Sequence, residues 1–138
     1  MKRKATAIWN GTIKEGNGNL TTQSGTLQET QYSFKSRFES GTGTNPEELI
    51  AAAHAGCFAM QLSAFLTEEG YNPETLDTTG EVSLEDGTIT KSHLILKATI
   101  KDIEQTKFDE LVNKAKENCP VSKLLNANIT VDARLAGK

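Results

Sequence analysis

The residues best suited to chemistry are the chain's only two cysteines, Cys57 and Cys119. Cys57 lies in the most apolar stretch, residues 49–60, which also carries His54 three positions earlier, on the same face of a helix. Cys119 precedes Pro120, where a helix starting at the proline would make it the N-cap. Unpaired backbone N–H groups and the positive end of the helix dipole favour a thiolate at that position. Two thiols, one of them poised as a thiolate, can act as a nucleophile and as a redox couple. Each also has an inert reading. Cysteine in an Ala-Gly-Cys-Phe run is what a core residue looks like, and cysteine before proline can be a small buried hydrophobe. His54, alone on an apolar helix, reads either as a satisfied core histidine or as a partner of Cys57.

A chain of 138 residues fits one domain, residues 1–138, and can bury a core without staples, so the thiols are not needed as scaffolding. No basic segment followed by an apolar run opens the chain, and the expected location is the reducing cytoplasm, where two cysteines are free or reactive rather than permanently bridged. A net charge of -3 offers no footprint for nucleic acid or an anionic membrane. Zinc is not expected either: there is no Cys-x-x-Cys pair, and His93 lies in the middle of a strand pattern.

The elements that must position these residues follow from periodicity. Ala5, Ala7 and Trp9 alternate with polar neighbours, glycines at 11, 16 and 18 suggest turns, and residues 31–38 place Tyr32, Phe34 and Phe38 at even spacing. The expectation is a meander of two or three antiparallel strands. Asn45, Pro46, Glu47 and Glu48 make a helix start, with Glu48 placed to close a capping box on Asn45, and Gly70 offers the stop. A helix over residues 46–69 would be about 36 Å long and apolar all round. It reads as a buried helix of a soluble protein rather than a membrane span, packed against its own copy in a partner chain.

Downstream, residues 81–84 and 88–100 flank Asp86-Gly87, a hairpin turn signal, with Leu94, Leu96, Ala98 and Ile100 on one face. Phe108, Leu111, Val112 and Ala115 mark an amphipathic helix capped by Thr106 and ending at 118 or 119. A short helix, residues 120–125, should bury Val121, Leu124 and Leu125, and a last strand covers residues 129–135. The fold class is α+β. Within the long helix, Glu47 falls about 80° from Cys57 around the axis but about 15 Å from it along the axis. Direct contact along one straight helix is excluded, so either the helix breaks near Gly56 or Glu47 serves the Cys57 of another subunit.

Two segments carry a family resemblance: Thr44-Asn45-Pro46-Glu47-Glu48-Leu49-Ile50-Ala51-Ala52-Ala53-His54-Ala55-Gly56-Cys57-Phe58-Ala59-Met60 and Cys119-Pro120-Val121-Ser122-Lys123-Leu124-Leu125. They resemble the signature motifs of the osmotically inducible protein C and organic hydroperoxide resistance (OsmC/Ohr) family. Ala7-Ile8-Trp9, Ser36-Arg37-Phe38-Glu39 and Asp77-Thr78-Thr79 add weaker matches. His54 and the Arg37-Phe38-Glu39 segment favour the OsmC branch.

The resemblance implies an intertwined homodimer, with antiparallel sheets wrapped around long central helices and active sites at the subunit interface. It implies a thiol-dependent peroxidase that reduces organic hydroperoxides, and hydrogen peroxide more weakly, without a metal or other cofactor. In that scheme Cys57 is the peroxidatic thiolate that becomes a sulfenic acid, Cys119 resolves it to a disulfide, and a dithiol, lipoyl groups in the better-known branch, reduces it. Arg37, held by Glu47, matches the cation that offsets the cost of a desolvated thiolate. Taken without the family, Arg37 reads as a surface charge on a strand. Two other classes remain open on the same fold: a non-enzymatic binding or stress-storage protein, and a redox sensor whose disulfide changes a partner interaction.

Overall fold

The computed structural model describes residues 1–137. The chain divides into two compact units, Met1–Leu49 and Ile50–Lys138. In the first unit, β1 (Ala5–Asn10), β2 (Asn17–Thr22) and β3 (Thr30–Tyr32) form an antiparallel sheet in that order. The meander has three strands, and Gly18 lies inside β2 rather than in a turn, where a side chain would strike the Trp9 and Tyr32 rings.

The expected strand over residues 31–38 ends at Tyr32. Phe34–Phe38 is instead a short helix, α1, and the reason is a cap that outweighs the aromatic alternation. Ser33 Oγ accepts from the Ser36 N–H at 3.2 Å while Ser36 Oγ accepts from the Ser33 N–H at 2.8 Å, a reciprocal capping box. Arg37 consequently sits on a helix, not on a strand.

The long helix α2, Pro46–Glu68, starts and stops close to its sequence signals. The Glu48 N–H donates to Asn45 Oδ1 at 2.8 Å, so Asn45 is the cap. The box is not closed as expected, because the Glu48 carboxylate accepts from Thr44 Oγ1 at 2.7 Å instead. The helix runs through Gly56 without a break. It is long and apolar enough to cross a bilayer by length and composition, yet the row His54, Phe58, Leu62 and Leu66 is buried within the chain. Within the single chain its other faces are open, with Ala52, Ala53, Gly56 and Met60 exposed.

In the second unit, β4 (Pro73–Glu85) and β5 (Thr88–Ile100) form a hairpin whose turn residues Asp86 and Gly87 have φ of 50° and 77°, the left-handed pair of a type I′ turn. β6 (Asn128–Leu135) pairs parallel with β5, which requires the crossover built from α3 (Gln105–Asn118) and α4 (Pro120–Leu124). The expected Thr106 cap is not used: α3 begins two residues earlier, at Gln105, with Glu104 at the N-cap and no side-chain cap bond.

The inward face of β5 and the apolar stripe of α3 close on the buried row of α2. Leu94, Leu96, Ala98, Phe108, Leu111, Val112 and Ala115 join Phe58, Leu62 and Leu66 in one core. Each fully buried leucine or phenylalanine contributes about 1.5–3 kcal/mol. Gly80 has a structural reason in this packing, since a Cβ there would come within 2.6 Å of the Ala51 carbonyl oxygen. Leu124, expected in the core, is 79% exposed, because α4 turns Ser122 inward instead.

Candidate active site

The two cysteines, 62 positions apart in sequence (119 minus 57), meet in the second unit. Both are free thiols, Cys119 fully buried and Cys57 half-buried against the core. What joins them is the first turn of α4. Pro120 has no N–H to offer, so the next two backbone donors face the sulfurs. The Val121 backbone faces Cys57 closely enough to lower its pKa, and the Ser122 N–H donates to Cys119 Sγ at 3.3 Å. Cys119 thus occupies the N-cap expected of it, with φ -65° and ψ 133°.

Cys57 sits on α2 beside the buried row. Burial raises its pKa first, the Val121 hydrogen bond lowers it, and the neighbouring Cys119 side chain raises it again by hydrogen bond and by charge. Among the described residues, no positive charge contributes to lowering it. The thiol cluster by itself therefore holds Cys57 protonated.

His54 is not a partner of Cys57. Its Nδ1 lies 2.5 Å from Ser92 Oγ on β5 and its Nε2 lies 2.8 Å from Ser122 Oγ on α4. Ser122 Oγ is in turn 3.4 Å from Cys119 Sγ. Burial lowers the pKa of His54 and favours the neutral imidazole. Sequence reasoning missed both serines, although each left a signal. Ser92 shares the even-numbered face of Leu94 and Leu96, and Ser122 takes the third helical position after an N-cap cysteine.

The other expected pair lies in the first unit. Arg37 on α1 grips Glu47 in α2's first turn with a two-pronged bond, Nε to Oε1 and Nη2 to Oε2, both at 3.1 Å. The Arg37 side chain is 39% exposed and that of Glu47 only 12%. The grip depends on the loop between the helices: Asn45 Nδ2 donates to the Ser36 carbonyl at 2.8 Å, and the Thr44 N–H donates to the Gln31 carbonyl at 2.9 Å. Arg37 also lines a recess of about 200 Å³ whose other walls include Trp9, Ile13, Tyr32, Phe34 and Phe38. A guanidinium set among aromatic walls suits a molecule with one polar end and an apolar tail. Among the described residues, no group of three or more His, Cys, Asp or Glu side chains is arranged to hold a metal ion.

The fold and site define an α+β thiol protein in which two free cysteines meet at the first turn of a short helix. Residues 39–134 match the family model described as OsmC-like protein. The chain is 47% identical to peroxiredoxin OsmC of Escherichia coli K12 over 98% of its own length and 97% of that protein's. It is 35% identical to the organic hydroperoxide resistance protein OhrB of Bacillus subtilis, covering 86% and 88% of the two chains. The crystal structure of OhrB superposes with a TM-score of 0.66 at 31% identity, covering 96% of this chain and 97% of that one. A structure from Legionella pneumophila, described as an organic hydroperoxide resistance protein OsmC, gives 0.65 at 28% identity, with 96% of both chains covered. The chain belongs to the OsmC-like family.

Proposed function

We propose that this protein is a cysteine-based peroxidase that reduces organic hydroperoxides to alcohols, and hydrogen peroxide more weakly. The observation that carries this reading is the meeting of Cys57 and Cys119 at one helix turn, in a chain 47% identical to a protein named peroxiredoxin OsmC. The Cys57 thiolate attacks the distal peroxide oxygen, the O–O bond breaks, Cys57 takes the hydroxyl as a sulfenic acid, and the departing alkoxide takes up the proton lost when the thiol ionised and leaves as the alcohol. Cys119 then attacks the Cys57 sulfur, the disulfide forms, and water departs. A dithiol, lipoyl groups being the candidate, exchanges with the disulfide and restores both thiols.

Arg37 and Glu47 supply the missing cation in this scheme. A guanidinium fixed by a carboxylate stays charged and offers its remaining N–H groups to a thiolate and a peroxide oxygen together. The unbroken α2 favours service to the Cys57 of a partner subunit. The exposed small face of α2, with Ala52, Ala53 and Gly56, suits close approach of a second copy, so the working form is a homodimer of single-domain chains. The protein acts in the cytoplasm, where thiol reductants are available.

Mass spectrometry after one equivalent of cumene hydroperoxide tests the reading. The native protein should lose both thiols to a Cys57–Cys119 disulfide. Cys57→Ser should consume no peroxide, and Cys119→Ser should stop after one turnover with a sulfenic acid that dimedone traps at Cys57. Thiols that survive the peroxide would sink the proposal, and a disulfide that no dithiol reduces would indicate a sensor instead.

A further inference from the structure

Behind Cys119 runs a row of side chains that the peroxidase scheme leaves unused. Cys119 Sγ, Ser122 Oγ, His54 Nε2, His54 Nδ1 and Ser92 Oγ follow one another at 3.4, 2.8 and 2.5 Å, the imidazole ring bridging the last two links. Three elements contribute: α2 the histidine, β5 the far serine and α4 the near one. Cys119, His54 and Ser92 have no exposure, and Ser122 has 9%. Removing four polar groups from water is costly, and a core needing only volume is served better by apolar side chains. The cost is met here by complete pairing, since among the described residues no buried side-chain N or O lacks a partner. The row leads to the sulfur of Cys119.

Its chemistry follows from the donor inventory. A neutral imidazole has one N–H and one lone pair, while each serine can give one proton and accept others. With Cys119 as a thiol, the order is S–H to Ser122 Oγ, Ser122 O–H to Nε2, and Nδ1–H to Ser92 Oγ. Reversing the two links nearest sulfur gives the second arrangement: Nε2–H to Ser122 Oγ and Ser122 O–H to a thiolate. Going from the first to the second moves one proton from sulfur to the imidazole and leaves every atom in place. The Ser122 backbone N–H bonds the sulfur in both.

From this geometry we infer that His54 acts through Ser122 as the proton acceptor for Cys119 in the resolving step. The inference rests on the peroxidase reading above. As Cys119 attacks, its proton passes to Ser122 and the Ser122 proton to Nε2. The S–S bond forms, the S–O bond of the Cys57 sulfenic acid breaks, and the departing hydroxide takes the proton back from the imidazolium, leaving as water. The sum is one sulfenic acid and one thiol giving one disulfide and one water. No outside base is required, which suits a thiol closed off from solvent. His54 is thus a positioning residue that also holds the proton in transit. The groups hydrogen-bonded to it are Ser92 from β5 and Ser122 from α4, and the titratable group it faces is Cys119, reached through Ser122.

Stopped-flow single turnover with one equivalent of cumene hydroperoxide separates the two steps in the native protein, His54→Gln and Ser122→Ala. Peroxide consumption reports sulfenic acid formation, and intact mass after quenching reports the disulfide. Both variants should form the sulfenic acid within about two-fold of the native rate and close the disulfide on the order of 10²-fold more slowly. The closing rate should recover as pH rises and solvent base takes over the deprotonation. Ser122→Ala removes one hydroxyl and retains the backbone donor, so it carries the test if His54→Gln fails to fold. Native closing rates with a native pH profile in either folded variant would overturn the relay, as would a slowing that is uniform across pH. A native protein that never oxidises Cys57 overturns the peroxidase reading, and the relay with it.

Discussion

Cys119, Ser122, His54 and Ser92 lie inside the protein with each polar atom partnered, whereas Arg37 keeps 39% of its side chain in solvent while it grips a nearly buried Glu47. The first region is closed on itself: its donors and acceptors are spent on one another and on two sulfurs. The second is half spent. Two of the five guanidinium N–H groups bond the carboxylate, and the others remain for something else. Among the described residues no cation offsets the burial of Cys57, and the fork is a fixed cation with donors to spare. Each region therefore has what the other lacks. On the function proposed above, the thiol cluster holds and exchanges protons and the fork stabilises a negative charge.

The sharpest way to break that comparison is to spoil the fork without touching the thiols. Arg37→Lys keeps the charge but cannot hold both carboxylate oxygens. The rate of Cys57 oxidation by cumene hydroperoxide should fall roughly 10²-fold, the loss usual for one aligned donor at a developing charge. The closing of the disulfide, a step that belongs to the thiol region, should remain near native once the sulfenic acid has formed. Equal slowing of both steps would mean that the fork supports the fold rather than the chemistry. A mixture of Cys57→Ser and Arg37→Ala chains extends the test. If subunits share the fork, activity should return in the mixed dimer although neither parent is active.

The two regions were also unequally legible in the sequence. The start of α2, its Asn45 cap and the inward face of β5 could be read because local propensity and tertiary packing agree there. The alternation of Tyr32, Phe34 and Phe38 points to a strand over residues 31–38, yet the reciprocal cap of Ser33 and Ser36 decides for a helix from Phe34. Cys57 and Cys119 were legible as thiols, while their meeting depends on a parallel β5–β6 crossover that no short-range pattern encodes. Ser92 and Ser122 carry no signal of their pairing in the sequence for the same reason: a serine on an inward face acquires meaning only from what stands opposite. Leu124 shows the converse, an apolar residue assigned to the core that α4 turns to solvent.

A second test uses pH to sharpen the contrast, since a closed region should register protonation in stability and an open one should not. Burial lowers the pKa of His54 below its ordinary 6.5, so the unfolded chain binds this proton more readily than the folded one. Its contribution is complete above pH 6.5 and is lost as pH falls through the folded-state value. Chemical denaturation of the native protein should therefore show stability declining below about pH 6.5, and His54→Gln should decline less over the same interval. Carboxylates titrate alike in both proteins and drop out of the difference. Parallel pH curves would mean that the imidazole is not held neutral by burial.

The smallest expected effect concerns the cap that turns the 33–38 segment into a helix and so aims Arg37. Ser33→Ala removes the Oγ that accepts from the Ser36 N–H, which should cost about 1 kcal/mol. The Ser36 hydroxyl still donates to the Ser33 carbonyl at 3.0 Å, and Asn45 still holds the Ser36 carbonyl, so α1 should loosen rather than vanish. Because the loosening falls on the fork alone, Cys57 oxidation should slow by a few-fold while disulfide closure and the pH curve of His54→Gln relative to native are unmoved. Denaturant titration gives the stability change, and single-turnover kinetics the rest. A stability loss without slower oxidation would show that Arg37 is positioned by Glu47 alone, with α1 only carrying it there.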